Sequence, residues 1–525
     1  MTAPLGHWFG PAERPSCGWW SEPARGSRDG VVLLPPLGYE YWSAHRTLRA
    51  LAERFAAAGH YTLRFDYDGT GDSAGDPCDP DRFAAWTASA LAAVAELRAR
   101  GCERVTLAGL RFGGALALAL GAQARADRVI AWLPVLSGKR YARELKLLAL
   151  AVPGSEGEIV FAGTSISSET AKALVTLELE KLAERPAARV LIATQPDRPV
   201  AKLVARLGEL GSATDVISLA GAHTALEVPS EDAIVPTAIV DAIAGWLGDA
   251  PETAPLPLAR KTAATFGGIT ETIAEVAGLA AITSDRADTT SETRVVFLNS
   301  GSEVHVGPGR AWIDYTRALA AAGIGAMRVD WSGWGESPDR GHAPGRPYDQ
   351  HGIVETVEIV RAVRASGVKR VILAGLCAGA WMAVQAALQT QVDGVIAINP
   401  QLYWLPGDPV EALLSDTRKR RIPIRERDAK LRDQHVWSAL DAIGVRPPAA
   451  TWLHGLTERQ VPSLLLFAEG DDGLEFLEMR CARRLRHELA AGYVRVVQIP
   501  DLDHQMYRTW RRGDVIAALK AFAGA

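Results

Sequence analysis

The residue whose surroundings most plainly suggest chemistry is Cys377, which ends the apolar run Val371-Ile372-Leu373-Ala374 and stands between Gly375 and Gly379 in the spacing G-x-C-x-G. A side chain held on a tight turn between a strand and a helix is presented to substrate, and the flanking glycines let the two backbones approach without a Cβ between them. To react near neutral pH a thiol must become a thiolate, which needs a base, and the base needs a carboxylate to orient it. The chemistry open to such a set is acyl transfer through a covalent thioester. The alternative for the motif alone is a cysteine buried in the core, the commoner state of a free cysteine.

The elements that would position this thiol occur twice. In the first half, Gly30-Val31-Val32-Leu33-Leu34 reads as a buried strand running into Pro35-Pro36-Leu37-Gly38-Tyr39-Glu40, and a helix from about Ser43 to Ala58 is closed by Gly59. The strand Tyr61 to Asp66 breaks into Asp68-Gly69-Thr70-Gly71-Asp72-Ser73, and a helix from about Asp81 to Arg100 leads to the strand Arg104 to Ala108 and then Gly109-Leu110-Arg111-Phe112-Gly113-Gly114. In the second half, Arg294 to Leu298 leads into Asn299-Ser300-Gly301, and Met327 to Asp330 breaks into Ser332-Gly333-Trp334-Gly335-Glu336-Ser337. Gly301 follows Gly38 by 263 residues, Gly323 follows Gly59 by 264, Gly333 follows Gly69 by 264, and Cys377 follows Arg111 by 266. So constant an offset identifies two copies of one α/β fold, strands alternating with helices around a parallel sheet. The expected domains are 1–250 and 263–525, joined by a Pro-rich linker over 251–262 that can neither continue a helix nor enter a central strand. Irregular insertions at about 137–184 and 401–458 follow the next strand of each copy, where they would cover a site as lids.

Bulk properties exclude several classes. The 525 residues exceed one hydrophobic core, and the net charge of -4 leaves no electrostatic footprint for nucleic acid. Five cysteines, odd in number and without a C-x-x-C pair, argue against a disulfide framework or a structural zinc site. No apolar run approaches the ~18 residues of a membrane span, and the first residues lack a signal-peptide pattern, so a cytoplasmic protein is expected. The Gly69-Thr70-Gly71 and Gly333-Trp334-Gly335 turns have neither dinucleotide-binding spacing nor a Walker lysine, and no His, Cys and carboxylate set has metal spacing, so no cofactor and no metal is expected.

The strand–G-x-nucleophile-x-G–helix unit, the preceding D-x-x-G-x-G-[DE]-S turns at Asp66 to Ser73 and Asp330 to Ser337, and a later Asp and His in that order together resemble the α/β-hydrolase superfamily. The likeness is closest to its serine-aminopeptidase-like branch and to the hydrolases found beside exosortase and exopolysaccharide systems. It is strengthened by Val304-His305-Val306-Gly307-Pro308-Gly309-Arg310 and Asn399-Pro400-Gln401-Leu402-Tyr403-Trp404. The resemblance implies two tandem α/β-hydrolase folds, each a mostly parallel sheet with helices on both faces and a lid insertion. It also implies the order nucleophile, acid, His, which here gives Cys377, then Asp471 with Asp472 as its rival, then His504, while Asp503 would hold the histidine's loop. An oxyanion hole would use the backbone N–H of Ala378 and that of Gly301 or Ser302. In the first copy Arg111 replaces the nucleophile, and Asp197 and His223 keep the order of acid and base. Two roles are open to Arg111. It can close a degenerate site in a buried ion pair with Asp197, or it can bind an anionic group such as a carboxylate or a phosphopantetheine phosphate.

A thioester acyl-enzyme is energetically matched to exchange with another thioester. The expected function is therefore an acyltransferase moving an acyl group from a CoA or acyl-carrier-protein thioester to a small alcohol or amine acceptor. A thioesterase, esterase or peptidase-like hydrolase is the alternative within the same chemistry, and a non-catalytic scaffold the alternative outside it. The basic run Arg418-Lys419-Arg420-Arg421, continued by Arg425, Arg427, Lys430 and Arg432, reads as a solvated face diluted by acidic neighbours, or as a surface for a carrier protein or CoA phosphates. Trp331, Trp334, Trp381 and Trp404 fall near strand ends or the elbow helix, where they can pack the core or line an acyl pocket.

Overall fold

The computed structural model describes residues 5–149, 158–228, 230, 232–257, 259–301, 303–341, 347–404 and 448–525. The chain divides into two compact units, Met1–Gly267 and Gly268–Ala525.

The sheet of the first unit runs in the order Leu5–Phe9, Ser16–Ser21, Tyr61–Phe65, Asp29–Leu34, Arg104–Leu110, Arg128–Trp132, Arg189–Thr194, Ala213–Ser218. Ser16–Ser21 is antiparallel to both of its neighbours, Leu5–Phe9 and Tyr61–Phe65, and the remaining pairs are parallel. The second unit repeats this order with Ile269–Val276, Leu279–Arg286, Gly325–Val329, Thr293–Phe297, Arg370–Leu376, Gly394–Ile398, Ser463–Ala468, Val494–Ile499. Its first pairings are again antiparallel and the others parallel.

Alternation along the central strands explains why helices cover both faces of each sheet. Successive side chains of a strand point to opposite faces. Val32 and Leu34 accordingly join one core cluster of the first unit while Val31 and Leu33 join another. Val296 and Leu298 are parted from Val295 and Phe297 in the same way in the second. A strand apolar on both sides is the continuous run expected of a parallel sheet buried between helical layers.

The expected helices span Tyr39–Ala57 and Arg82–Ala99. The segment 251–262 lies along the first unit, with Thr253 N donating to Gly26 O, Leu256 N to the Tyr61 hydroxyl and Trp8 N to Lys261 O. The first insertion is more regular than its sequence suggests. It holds a helix Gly138–Ala149, a hairpin of Glu158–Phe161 and Thr164–Ser167, and a helix Ser168–Leu174. Most of the second insertion, including the basic run from Arg418 to Arg432, lies outside the described residues, and its end forms the helix Pro448–Glu458.

Candidate active site

Cys377 sits between the strand Arg370–Leu376 and the helix Ala378–Ala387 with φ 54° and ψ -108°. For a residue with a Cβ this conformation costs about 1–3 kcal/mol, so the surroundings must impose it. They do so by close approach. A Cβ on Gly375 would fall 2.3 Å from the carbonyl carbon of Gly379, and one on Gly379 would fall 2.4 Å from the carbonyl oxygen of Asn299. Cys377 N donates to Ile398 O at 2.9 Å, which ties the turn to the neighbouring strand end. The thiol is free and half-buried.

The structure brings Asp471 and His504 together beyond the last two strands. Asp471 caps the helix Asp472–Arg480, one carboxylate oxygen accepting from Gly473 N at 2.8 Å. Its other oxygen, Oδ2, accepts from His504 Nδ1 at 2.6 Å. Asp472 is exposed at the first position of that helix, and Asp471 is the aspartate that meets the histidine. Because Nδ1 is bound to a carboxylate, Nε2 is the nitrogen left for the sulfur. Asp503 accepts from the backbone N–H groups of Tyr507 and Arg508, folding the loop that carries His504.

Burial alone would lower the proton affinity of His504. The hydrogen bonds to Asp471 and Cys377, with the negative charge of each, outweigh it and push the pKa up to about 10.

Ala378 is buried at the first turn of the elbow helix, and Gly301 stands at φ 55° with open space where a side chain would be. Ser302, the other candidate oxyanion donor, lies outside the described residues. Asn299 is committed to structure: its amide donates to Glu303 O and Asp330 Oδ1 and accepts from Trp331 N. Asp330 in turn binds His305 Nδ1 at 2.5 Å.

Three neighbours were not legible as site residues in the sequence. Tyr348 places its hydroxyl 3.6 Å from Cys377 Sγ and donates to Gln401 Oε1 at 3.0 Å. Gln401 Oε1 also accepts from Trp404 Nε1 at 3.0 Å. Asn399 donates to the carbonyl of His504 at 2.9 Å and accepts from Ala468 N at 2.7 Å. The only hint was Asn399 and Gln401 lying in the 399–404 stretch that supports the family resemblance.

The first unit keeps the elbow. Arg111 has φ 54° and ψ -113°, its N–H donates to Trp132 O at 2.9 Å, and a Cβ on Gly109 would fall 2.2 Å from Gly113. The expected pairing of Arg111 with Asp197 is not what forms. Asp197 and His223 are exposed, and the guanidinium instead meets Glu40 Oε1 at 2.5 Å and Glu144 Oε1 at 3.2 Å. The physical reason is proximity. Glu40 opens the helix after the first central strand, and the helix Gly138–Ala149 carries Glu144 over the elbow, whereas Asp197 lies in a loop that turns to solvent. Burial raises the Glu40 carboxyl above its ordinary range against the opposing pull of Arg111.

Among the described residues no group of His, Cys, Asp and Glu could hold a metal ion, and no helix is long and apolar enough to cross a membrane. The model of the alpha/beta hydrolase family matches residues 295–519, and that of serine aminopeptidase, S33, matches residues 41–174. No curated protein matches the chain. Among solved structures, Est1E from Butyrivibrio proteoclasticus with ferulic acid bound is similar at 17% identity and a TM-score of 0.36, covering 46% of this chain and 97% of its own. A putative hydrolase from Agrobacterium vitis S4 is similar at 16% identity and a TM-score of 0.34, covering 46% and 97%. A predicted CIB-like hydrolase from Thermoplasma acidophilum is similar at 15% identity and a TM-score of 0.31, covering 49% and 99%. The family matches support a hydrolase-type enzyme. One of them falls on the strands and elbow that carry Cys377, the other on the elbow that carries Arg111, and the chain thus belongs to the α/β-hydrolase superfamily.

Proposed function

We propose that the second unit is a cysteine-dependent acyl-transfer enzyme in which Cys377 is the nucleophile, His504 the acid and base, and Asp471 the group that orients the histidine. The observation that carries this reading is the convergence of Asp471, His504 and Cys377 on one strained turn, with the proton affinity of His504 raised by both partners.

His504 takes up the proton of the Cys377 thiol. The thiolate attacks the acyl carbon of a thioester, and His504 protonates the departing thiolate, leaving a neutral acyl-enzyme and a neutral imidazole. Acylation removes the sulfur's charge from beside the histidine, and with it two of the causes that hold the proton on His504. The neutral imidazole then accepts the proton of an alcohol, amine or water as that group attacks the thioester. The N–H groups of Ala378 and Gly301 are the donors proposed for the oxyanion, a kind of stabilisation worth about 3–4 kcal/mol per donor. The acyl donor is a CoA or carrier-protein thioester and the acceptor a small alcohol or amine. Water as acceptor gives a thioesterase, which agrees with the hydrolase family match.

Release of free CoA from acyl-CoA, followed with and without added alcohols and amines, tests both parts. A transferase speeds up with its acceptor and yields the acylated acceptor. A free acid formed at an acceptor-independent rate identifies the thioesterase, and undiminished turnover by Cys377→Ala would sink the nucleophile assignment. His504→Ala is expected to lower the rate by about 10²–10⁴.

A further inference from the structure

Cys377 has a second polar neighbour that the triad does not use. Tyr348 precedes the helix Gln350–Ala365 and is 5% exposed. Its ring is held against Trp381 at 5.4 Å and Trp404 at 5.2 Å, so the hydroxyl has little freedom except rotation about its own C–O bond. That hydroxyl has one proton and two claimants, Gln401 Oε1 at 3.0 Å and Cys377 Sγ at 3.6 Å. Gln401 Oε1 already accepts from Trp404 Nε1 and keeps a donor if the tyrosine turns away.

We infer that Tyr348 is a further catalytic residue, whose hydroxyl turns from Gln401 to donate a hydrogen bond to the sulfur of Cys377 when that sulfur carries negative charge. This rests on Cys377 being the nucleophile. No proton leaves the tyrosine; the thiol's proton goes to His504, and only the acceptor of the phenol's hydrogen bond changes. Burial, then the sulfur beside it, raises the Tyr348 phenol well above its ordinary range, so it remains a donor at any working pH. Among the described residues, the titratable groups facing this pair are His504 at the sulfur, Asp471 behind the histidine, and Tyr403 beside Tyr348.

The test is the rate at which iodoacetamide alkylates Cys377 in the full chain, read by peptide mass spectrometry, with the exposed Cys78 as internal reference. Tyr348→Phe keeps the ring and removes the donor. It should slow Cys377 about three- to tenfold near pH 7, the gap narrowing as the pH is raised, because a hydrogen bond to a charged group is lost. Gln401→Leu removes the competing acceptor and should alkylate at least as fast as the unaltered chain. A merely structural role would slow both variants alike. Unaltered kinetics in Tyr348→Phe, or equal slowing in both variants, would overturn the assignment while leaving the nucleophile in place. If Cys377 of the unaltered chain reacts no faster than Cys78, the nucleophile reading fails and takes this inference with it.

Discussion

At the scale of single residues, the proton of His504 is the quantity on which the proposed chemistry turns. An ordinary histidine is half charged near pH 6.5, whereas His504 keeps its proton to about 10 because Asp471 and Cys377 both favour the imidazolium over the opposing effect of burial. The folded value lies above the unfolded one. This group's contribution to stability is therefore complete below about pH 6.5 and is lost as the pH rises through the folded value. Nitrogen-detected NMR should find His504 doubly protonated near neutrality, and Cys377→Ala should lower the pH at which that signal disappears. A neutral His504 at pH 7, or a midpoint indifferent to Cys377→Ala, would contradict the ion pair. Nothing about this value was legible in the sequence, since Asp471 is 33 residues and Cys377 127 residues from His504 along the chain.

At the scale of elements, the elbow could be read from sequence because its requirement is local: two glycines and an apolar run suffice to specify a strand turning into a helix. Asn399 could not. It sits at the end of the strand Gly394–Ile398 with φ 43°, and its side chain bonds a neighbouring strand end and a loop that are 69 and 105 residues away. The residue at the matching turn of the first unit is Leu133, with φ 44° and its N–H donating to Ala193 O at 2.8 Å, as Asn399 N donates to Leu466 O at 2.8 Å. Leucine keeps the turn but cannot hold a histidine loop, and there His223 is exposed. Asn399→Leu should therefore cost about 1–3 kcal/mol in a denaturant melt and slow the reaction of Cys377 more than that loss of stability would suggest. Reaction at the unaltered rate would show that the His504 loop holds itself. Gly379→Ala tests the elbow more severely. The added Cβ would meet backbone at 2.4 Å, so a second unit that still folds and reacts normally would contradict so close an approach of helix and strand. The antiparallel strands Leu5–Phe9 and Ser16–Ser21 escaped sequence reading because they lack the β-branched run that marked the central strands.

At the scale of the whole molecule, the duplication was visible as a near-constant offset, and the two units share one strand order. Their elbows differ in what they carry. Arg111 spends its charge on Glu40 and Glu144, which accounts for the arginine without a bound anion. Arg111→Met should destabilise the first unit, and by more at pH 7 than at pH 5, because the Glu40 carboxyl, already raised by burial, can take up a proton in acid and lose its unpaired charge. A penalty independent of pH would mean that Glu40 does not depend on Arg111. The same variant should leave the reaction of Cys377 unchanged wherever the protein stays folded. The central claim, that Cys377 carries an acyl group during turnover, is tested most directly by incubating the full chain with a panel of acyl-CoA thioesters and measuring intact mass, with peptide mapping of the adduct. The account predicts a gain of one acyl group on Cys377, absent in Cys377→Ala and slowed in His504→Ala. A panel that leaves Cys377 unmodified, or an equal adduct in Cys377→Ala, would contradict it.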